Sequence, residues 1–127
     1  MKVNYAERAR ALVGTPFRLQ GRAAEGLDCV GVVVATFGLD GVRCNYRMRG
    51  DYEGEVRASL QQDFRRVPTT QLRPGDLMLM RVASDQLHLG VRTAVGFVHA
   101  HAGVRRVVET PGMPDWPVLA TYRRRRA

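Results

Sequence analysis

Cys29 is the residue with the clearest potential for chemistry in this sequence of 127 residues. It follows Asp28 at the head of an apolar run, in the stretch GLDCVGVV (residues 26–33). A thiol becomes a good nucleophile when it is deprotonated, and its pKa falls at a helix N-terminus or beside an imidazolium. Free cysteine is also among the most buried residue types. The stretch therefore fits a nucleophile and a small core residue alike.

The three histidines, His88, His99 and His101, all fall in one predicted hairpin, LHLGVRTAVGFVHAHAG (residues 87–103). If the turn holds an even number of loop residues, opposed positions have numbers that add to 189, and His88 faces His101. All three imidazoles then project from one face of the sheet. An odd loop would put His88 on the other face. The even register predicts an imidazole that activates Cys29 and a second polar residue that orients it.

Helix signals dominate the first half of the chain. Apolar residues recur at helical spacing over residues 4–13, with Asn4 in the N-cap position. The segment 51–67 has the same periodicity and stops before a proline. Residues 14–28 lack a sustained period and predict a loop. The valine-rich run over residues 29–39 fits a buried strand and a helix equally well.

Strand signals dominate the second half of the chain. Short apolar runs alternate with turn residues, at residues 77–80, 87–91, 97–100, 104–108 and 118–122. Helices followed by an antiparallel sheet of about five strands define an α+β fold. The length suits a single domain over residues 1–127, with a basic tail at residues 123–127.

The formal net charge is +8, and arginine supplies nearly all of it, with Lys2 the only lysine. Such a surface favours anionic partners, among them nucleic acid, acidic lipid and anionic cell-wall polymers. The arginine clusters lack the interleaved aromatic residues that single-stranded nucleic acid would stack on, so nucleic acid is the weakest of these candidates.

The two cysteines, Cys29 and Cys44, are too few for a disulfide framework and lack the spacing of a zinc site, although one bridge between them stays possible. The N-terminus has no apolar stretch typical of a signal peptide, and no run of about 18 apolar residues predicts a membrane span. From these features we expect a soluble chain made in the cytoplasm.

Three motifs in order resemble those of the NlpC-type cell-wall peptidases: GTPFRLQGRAAEGLDCVG (residues 14–31), LRPGDLMLM (residues 72–80), and HLGV followed by FVHA (residues 88–91 and 97–100). Members of that family are papain-like cysteine peptidases that cut peptidoglycan stem peptides, typically between γ-D-glutamate and a diamino acid. The resemblance implies a papain-like fold in which the segment from Cys29 onward is a helix.

The resemblance also implies roles for individual residues. Cys29 takes the place of the nucleophile, His88 that of the general base, and His99 rather than His101 that of the orienting residue. Asp28 is implied to help hold the amino end of the stem peptide, and Phe17 and Gly90 complete the candidate substrate-binding residues. Phe17 stands where the family usually has a tyrosine whose hydroxyl helps to stabilise the oxyanion, so slow turnover is an expectation.

The expected activity is hydrolysis of a stem peptide or muropeptide through an acyl-enzyme, with neither metal nor cofactor. The alternative is a catalytically impaired relative that binds the cell wall or helps to assemble a phage tail. Small family members without an export signal resemble phage tail-associated peptidases. The resemblance therefore implies phage tail components as partners and delivery to the wall in a virion or through the periplasm.

Overall fold

A computed structural model describes residues 3–23, 25–40 and 47–125. The helices and strands in those ranges are α1 (Tyr5–Arg10), β1 (Arg22–Ala23), β2 (Gly26–Leu27), α2 (Cys29–Phe37), α3 (Glu53–Asp63), β3 (Phe64–Val67), a 3₁₀ turn (Thr69–Gln71), β4 (Leu77–Ala83), β5 (Gln86–Arg92), β6 (Gly96–His101), β7 (Arg106–Pro111) and β8 (Val118–Arg124). Six strands form one antiparallel sheet in the order β3-β8-β4-β5-β6-β7, while β1 and β2 form a small hairpin. The α+β prediction is confirmed.

Helix α1 begins where the sequence predicts and ends earlier. The Asn4 side chain accepts a hydrogen bond from the Glu7 backbone N–H at 3.1 Å, which caps the helix. The helix ends at Arg10 because the chain then turns to bond with β7. There the Gly14 N–H donates to the Val107 carbonyl at 2.9 Å, and the Val107 N–H donates to the Thr15 carbonyl at 2.8 Å. This contact anchors the loop that leads to the candidate nucleophile.

Helix α2 settles the alternative that composition left open, since the run after Asp28 is helical. The Asp28 carboxylate caps its first turn by accepting from the Gly31 N–H at 2.8 Å. Gly38 ends the helix in the left-handed region at φ 67°, which a side chain would disfavour. The valines are accommodated because this helix is buried: Val32 and Val33 are inaccessible to solvent. Burial thus overrides their modest helix propensity.

The predicted helix over residues 51–67 is wrong in its last turn. Helix α3 ends at Asp63, and Phe64–Val67 is strand β3, which pairs with β8 at the edge of the sheet. Phe64 and Val67 are buried while Arg65 and Arg66 are exposed. Pairing with a strand some 55 residues further on decides the conformation, and local periodicity carries no information about it. The sheet therefore has six strands rather than about five.

The basic tail predicted from residue 123 is also partly wrong, because β8 continues to Arg124. The Arg123 guanidinium donates to both oxygens of the buried Asp76 carboxylate, with both distances 2.8 Å. Asp76 is the acid of the RPGD motif, and it also accepts from the Arg73 N–H at 2.9 Å. Residues 126 and 127 lie outside the described residues. The first two residues of the predicted tail thus belong to a strand of the sheet.

The sheet separates two apolar clusters. The larger lies between the sheet and the helices and holds Leu79, Leu89 and Val91 together with the valines of α2. The smaller contains Met78, Met80 and Phe97, against which Trp116 packs. Among the described residues, no helix is long and apolar enough to cross a membrane.

Candidate active site

The hairpin of β5 and β6 has the register that the even loop predicts. Val91 pairs with Val98 and Arg92 pairs with Phe97, so the paired numbers add to 189. Both strands continue beyond these two pairs, to Gln86 and His101, without further pairing to each other. The strands therefore separate on the side where the histidines lie.

The rings of His88 and His99 are in direct contact. The Nε2 atom of His88 lies 2.9 Å from the Nδ1 atom of His99, and the ring planes are nearly perpendicular, at 84°. The His101 ring lies 5.7 Å from the His99 ring, and its Nδ1 atom accepts a hydrogen bond from the Val104 N–H at 3.3 Å. The structure thus brings the three histidines together, and of His99 and His101 it is His99 that contacts His88.

Thr110 extends this contact to a third side chain. Its Oγ1 atom lies 2.8 Å from the Nε2 atom of His99. Thr110 pairs with Phe97 across β6 and β7, which places it on the sheet face that His99 shares. A threonine in a strand carries no motif signal, so sequence reasoning missed it. Only the β6–β7 register shows that it is adjacent to His99.

Trp116 covers the pair of histidines. Its ring centroid lies 5.7 Å from that of His88 and 5.8 Å from that of His99, in edge-on geometry. The only tryptophan of the chain thus displaces water from one side of the two imidazoles. The sequence analysis did not single it out, although a lone tryptophan in a glycine- and proline-rich loop is a weak signal for a site.

Cys29 is the first residue of α2, which packs against β5 and β6. It is a free thiol that is 8% exposed, and it lines the same cleft as His88 and His99. The backbone N–H groups of Leu89 and Val30 hydrogen-bond to its sulfur. The sulfur therefore lies beside the residue that follows His88. Cys44 lies outside the described residues.

The charge states at the site are set mainly by burial. Burial raises the pKa of the Cys29 thiol to about 12, and the Asp28 charge acts in the same direction. Burial lowers the pKa of His88 to about 3 and that of His99 to about 4, with neighbouring histidines adding to the effect. The expected lowering of the thiol pKa by the helix N-terminus and an imidazolium is thus outweighed. These shifts favour the neutral thiol of Cys29 and the neutral imidazoles of His88 and His99.

Asp28 is more fully engaged than the resemblance implies. Besides the Gly31 N–H, its carboxylate accepts from the Gln20 N–H at 2.8 Å and from the Arg22 guanidinium at 2.7 Å. These donors surround both oxygens. These hydrogen bonds fix the start of α2 and the loop before it.

The other two candidate substrate-binding residues lie in different surroundings. Phe17 lines the cleft and brings no hydrogen-bond donor to it. Gly90 is buried in β5 opposite Met78, and it is not among the residues that line the cleft. A Cβ atom on Gly90 would lie 3.2 Å from both Met80 Cε and Phe97 Cδ2. Its small size serves packing behind the site, and the structure does not bring it to a substrate.

The cleft has a volume of about 960 Å³ and opens to solvent. Its walls combine apolar and polar side chains, which suits a peptide that has both kinds of group. Among the described residues, no group of three or more His, Cys, Asp or Glu side chains is arranged to hold a metal ion. The chemistry that this arrangement offers is nucleophilic attack by a thiol with imidazole assistance.

Helices packed on an antiparallel sheet, with a cysteine at a helix start and histidines on the sheet, define the class of papain-like domains. Residues 14–115 match the sequence model of the NlpC/P60 family, and the chain belongs to this family.

Relatives and solved structures agree with this assignment. The chain is 31% identical over 108 residues to murein DD-endopeptidase MepS/murein LD-carboxypeptidase of Escherichia coli K12, which covers 81% of this chain and 51% of that protein. It is 33% identical over 90 residues to the probable endopeptidase NlpC of the same strain, covering 68% of this chain and 53% of that one. The chain thus spans about half the length of the curated relatives it matches.

Two solved structures show the fold. The NlpC/p60 domain of the peptidoglycan hydrolase SagA superposes with a TM-score of 0.62 at 18% identity, covering 85% of this chain and 86% of that one. NlpC1 from Trichomonas vaginalis superposes with a TM-score of 0.70 at 19% identity, covering 94% of this chain and 42% of that one.

Proposed function

We propose that this chain is a cysteine endopeptidase that hydrolyses peptidoglycan stem peptides, with Cys29 as nucleophile, His88 as general base and His99 as the residue that orients His88. The observation that carries the proposal is the shared cleft of Cys29 and the hydrogen-bonded pair His88–His99. Membership of the NlpC/P60 family and relatives named as murein endopeptidases support it.

The reaction proceeds in two halves. The Cys29 sulfur attacks the carbonyl carbon of the scissile amide while its proton passes to His88. The C–N bond then breaks, the amine leaves with that proton, and a thioester on Cys29 remains. Water attacks the thioester with His88 accepting its proton, which releases the carboxylic acid and returns the thiol. Because burial favours the neutral thiol and the neutral imidazole, we infer that proton transfer accompanies the attack rather than preceding it.

The hydrogen-bond chain supports an assignment of the basic nitrogen of His88. Its Nε2 atom is engaged by His99, so Nδ1 is the nitrogen left for the thiol proton. This requires His88 Nε2–H to donate to His99 Nδ1, and His99 Nε2–H to donate to Thr110 Oγ1. The opposite polarity would leave a proton on His88 Nδ1 and disable the base. Thr110 accordingly acts as a positioning residue through His99.

The oxyanion is stabilised by backbone groups in this proposal. Phe17 supplies no hydroxyl, so the donor that the family usually has at this position is missing. The first N–H groups of a helix have no acceptor within it, and the Asp28 carboxylate takes that of Gly31. The N–H of Cys29 is therefore the donor that we assign to the oxyanion, helped by the N-terminal dipole of α2.

The proposed bond is the amide between γ-D-glutamate and a diamino acid, as the sequence resemblance implies. Action at the cell wall follows from this substrate. Association with a phage tail stays a prediction of the same resemblance, and detection of the chain in purified virions by mass spectrometry would test it.

The test is product analysis after incubation with purified peptidoglycan and with a defined muropeptide. We expect two fragments whose masses add to that of the substrate plus one water, with the new carboxyl group on γ-D-glutamate. Cys29→Ala and His88→Ala proteins serve as controls and should yield no product above background. Cleavage at a different amide would correct the assigned bond, and cleavage at the parent rate by both variants would refute the mechanism.

Phe17 favours a second candidate, a catalytically impaired family member that binds the wall or serves in phage tail assembly. One measurement distinguishes this candidate from the peptidase: the parent protein would bind stem peptides without hydrolysing them. A Phe17→Tyr variant would then gain measurable hydrolysis if the missing hydroxyl is the cause of the impairment.

A further inference from the structure

The cleft that holds Cys29 has an excess of positive charge. Among the described residues, those that line it include three arginines, Arg22, Arg47 and Arg49, and one carboxylate, that of Asp28. The arginines belong to different parts of the chain: Arg22 lies in β1, and the other two precede α3. The folded chain therefore gathers guanidinium groups that are separated in sequence around one opening.

The Asp28 carboxylate does not present a free anion to a substrate. It is paired with Arg22 at 2.7 Å, and two backbone N–H groups also donate to its oxygens. A substrate ammonium group would have to compete with these donors. Asp28 and Arg22 thus neutralise each other, and the net positive charge of the cleft comes from Arg47 and Arg49.

Arg47 and Arg49 are held by neutral groups. The Arg47 guanidinium donates to the Tyr52 hydroxyl at 3.1 Å and lies over the Tyr52 ring, 5.4 Å from its centroid. The Arg49 Nε atom donates to the Gln86 side-chain oxygen at 3.1 Å. Among the described residues, no carboxylate lies within salt-bridge distance of either guanidinium.

Arg47 is charged at any working pH, as every guanidinium is, and the bond to Tyr52 raises its pKa further, with the Glu55 charge a smaller cause. Each arginine keeps N–H donors beyond those that its neighbour accepts, arranged in the planar fork that matches a carboxylate. Oriented guanidinium groups without an acidic partner, on the wall of a peptide-sized cleft, are suited to bind an anion.

We propose that Arg47 and Arg49 bind a free carboxylate of the substrate, so that the cleft selects peptides with that carboxylate over those in which it is a carboxamide. This inference rests on the proposed function and specifies its substrate. A stem peptide that contains γ-D-glutamate has such a carboxylate next to the scissile amide, on the α-carbon of the same residue.

The experiment compares two synthetic stem peptides that are identical except that the α-carboxyl group of γ-D-glutamate is free in one and a carboxamide in the other. We expect the parent protein to show a kcat/KM at least about fivefold higher for the free acid, mostly through KM, because uniform binding of the carboxylate lowers KM. The Arg47→Gln/Arg49→Gln double variant should reduce this ratio to within about twofold. Equal use of both peptides by the parent protein would overturn the proposal.

Arg65→Gln is the matched control, because it removes one exposed arginine of strand β3 that does not line the cleft. It should leave the ratio at the parent value. A ratio that persists in the double variant would show that other groups select the carboxylate, and a ratio that falls equally in Arg65→Gln would show that overall charge is responsible; either result would overturn the proposal. Circular dichroism melting curves establish that each variant is folded.

A binding measurement tests the carboxylate subsite independently of whether the protein hydrolyses the peptides. The Cys29→Ala protein, which cannot form the acyl-enzyme, is titrated with each peptide by isothermal calorimetry. The Cys29→Ala/Arg47→Gln/Arg49→Gln triple variant is titrated in the same way. Tighter binding of the free acid by Cys29→Ala that is lost in the triple variant would support the subsite even if neither peptide is hydrolysed by the parent. Equal affinities for the two peptides would refute the subsite whatever the hydrolysis assay gives.

Discussion

The Nε2 atom of His88 lies 2.9 Å from the Nδ1 atom of His99, and both rings are covered by Trp116. His99 is only 1% exposed, so a hydrogen bond from His88 has no competing water on that side. The orientation of the candidate base thus depends on a buried side chain 11 residues away in sequence. The first two predictions follow from this relationship.

Replacing His99 should impair catalysis without removing the nucleophile. His99→Leu deprives His88 Nε2–H of its acceptor, and we expect a loss of about 10²-fold or more in kcat, in line with other orienting residues. His99→Asn retains an acceptor oxygen and should keep more activity than His99→Leu. Steady-state hydrolysis of a defined muropeptide measures both, and equal activity in the two variants would argue against an orienting role.

Thr110 should matter through the tautomer of His99. Thr110→Val removes the hydroxyl at nearly constant volume, and we expect about a three- to tenfold loss in kcat, the scale of one net hydrogen bond. Thr110→Ser should recover most of it. Nitrogen-15 NMR of the imidazoles supplies a second readout, since Thr110→Val should change the population of the His99 Nε2–H tautomer. An unchanged tautomer in Thr110→Val would contradict the assignment.

His88, which is partly buried, and His99, which is buried, should make the protein less stable in acid. The folded pKa of His88, about 3, lies below the ordinary value of 6.5, so the unfolded chain binds the proton more readily. Protonation of His88 therefore does not lower the free energy of unfolding above about pH 6.5. As the pH falls from 6.5 toward 3, the free energy of unfolding decreases by up to about 1.4 kcal/mol per pH unit for one histidine. Denaturant unfolding between pH 4 and pH 7 measures it. A His88→Gln protein should show a shallower fall than the parent, and identical slopes would contradict the shift.

The pair Asp76–Arg123 should contribute strongly to stability. The Asp76 side chain is 3% exposed, so removing Arg123 leaves a buried carboxylate without its charged partner. We expect Arg123→Gln to lower the free energy of unfolding by about 2 kcal/mol or more. Arg125→Gln is a fitting comparison because Arg125 makes an exposed contact with the Gln61 carbonyl. If both variants unfold at the same denaturant concentration, the predicted tail has no structural role after all.

Several features of the fold follow from short-range chemistry and could be predicted. Asn4 in the N-cap position predicts the start of α1, and the observed register of β5 and β6 is the even-loop one of the two that the sequence left open. Composition alone left the segment after Asp28 open between strand and helix, and only the family resemblance resolved it. These successes concern contacts between residues close in sequence or motifs that a family shares.

The remaining features depend on partners that are distant in sequence. Strand β3 exists because β8 pairs with it, and Arg123 is structural because Asp76 is buried next to it. Thr110 joins the candidate site through the register of β6 and β7. The direction of the Cys29 pKa shift likewise follows from burial that only the packed core creates. Local patterns contain none of this information, which explains why sequence reasoning missed Thr110.

The most direct test of the central claim is the rate at which one defined stem peptide is cleaved by the parent protein, by Cys29→Ser and by Cys44→Ser. The two variants make the same chemical change at the two cysteines of the chain. We predict that Cys29→Ser loses at least about 10³-fold in kcat/KM, since removing a nucleophile removes the covalent pathway, whereas Cys44→Ser stays within about twofold of the parent. Cleavage by Cys29→Ser at the parent rate would contradict the account.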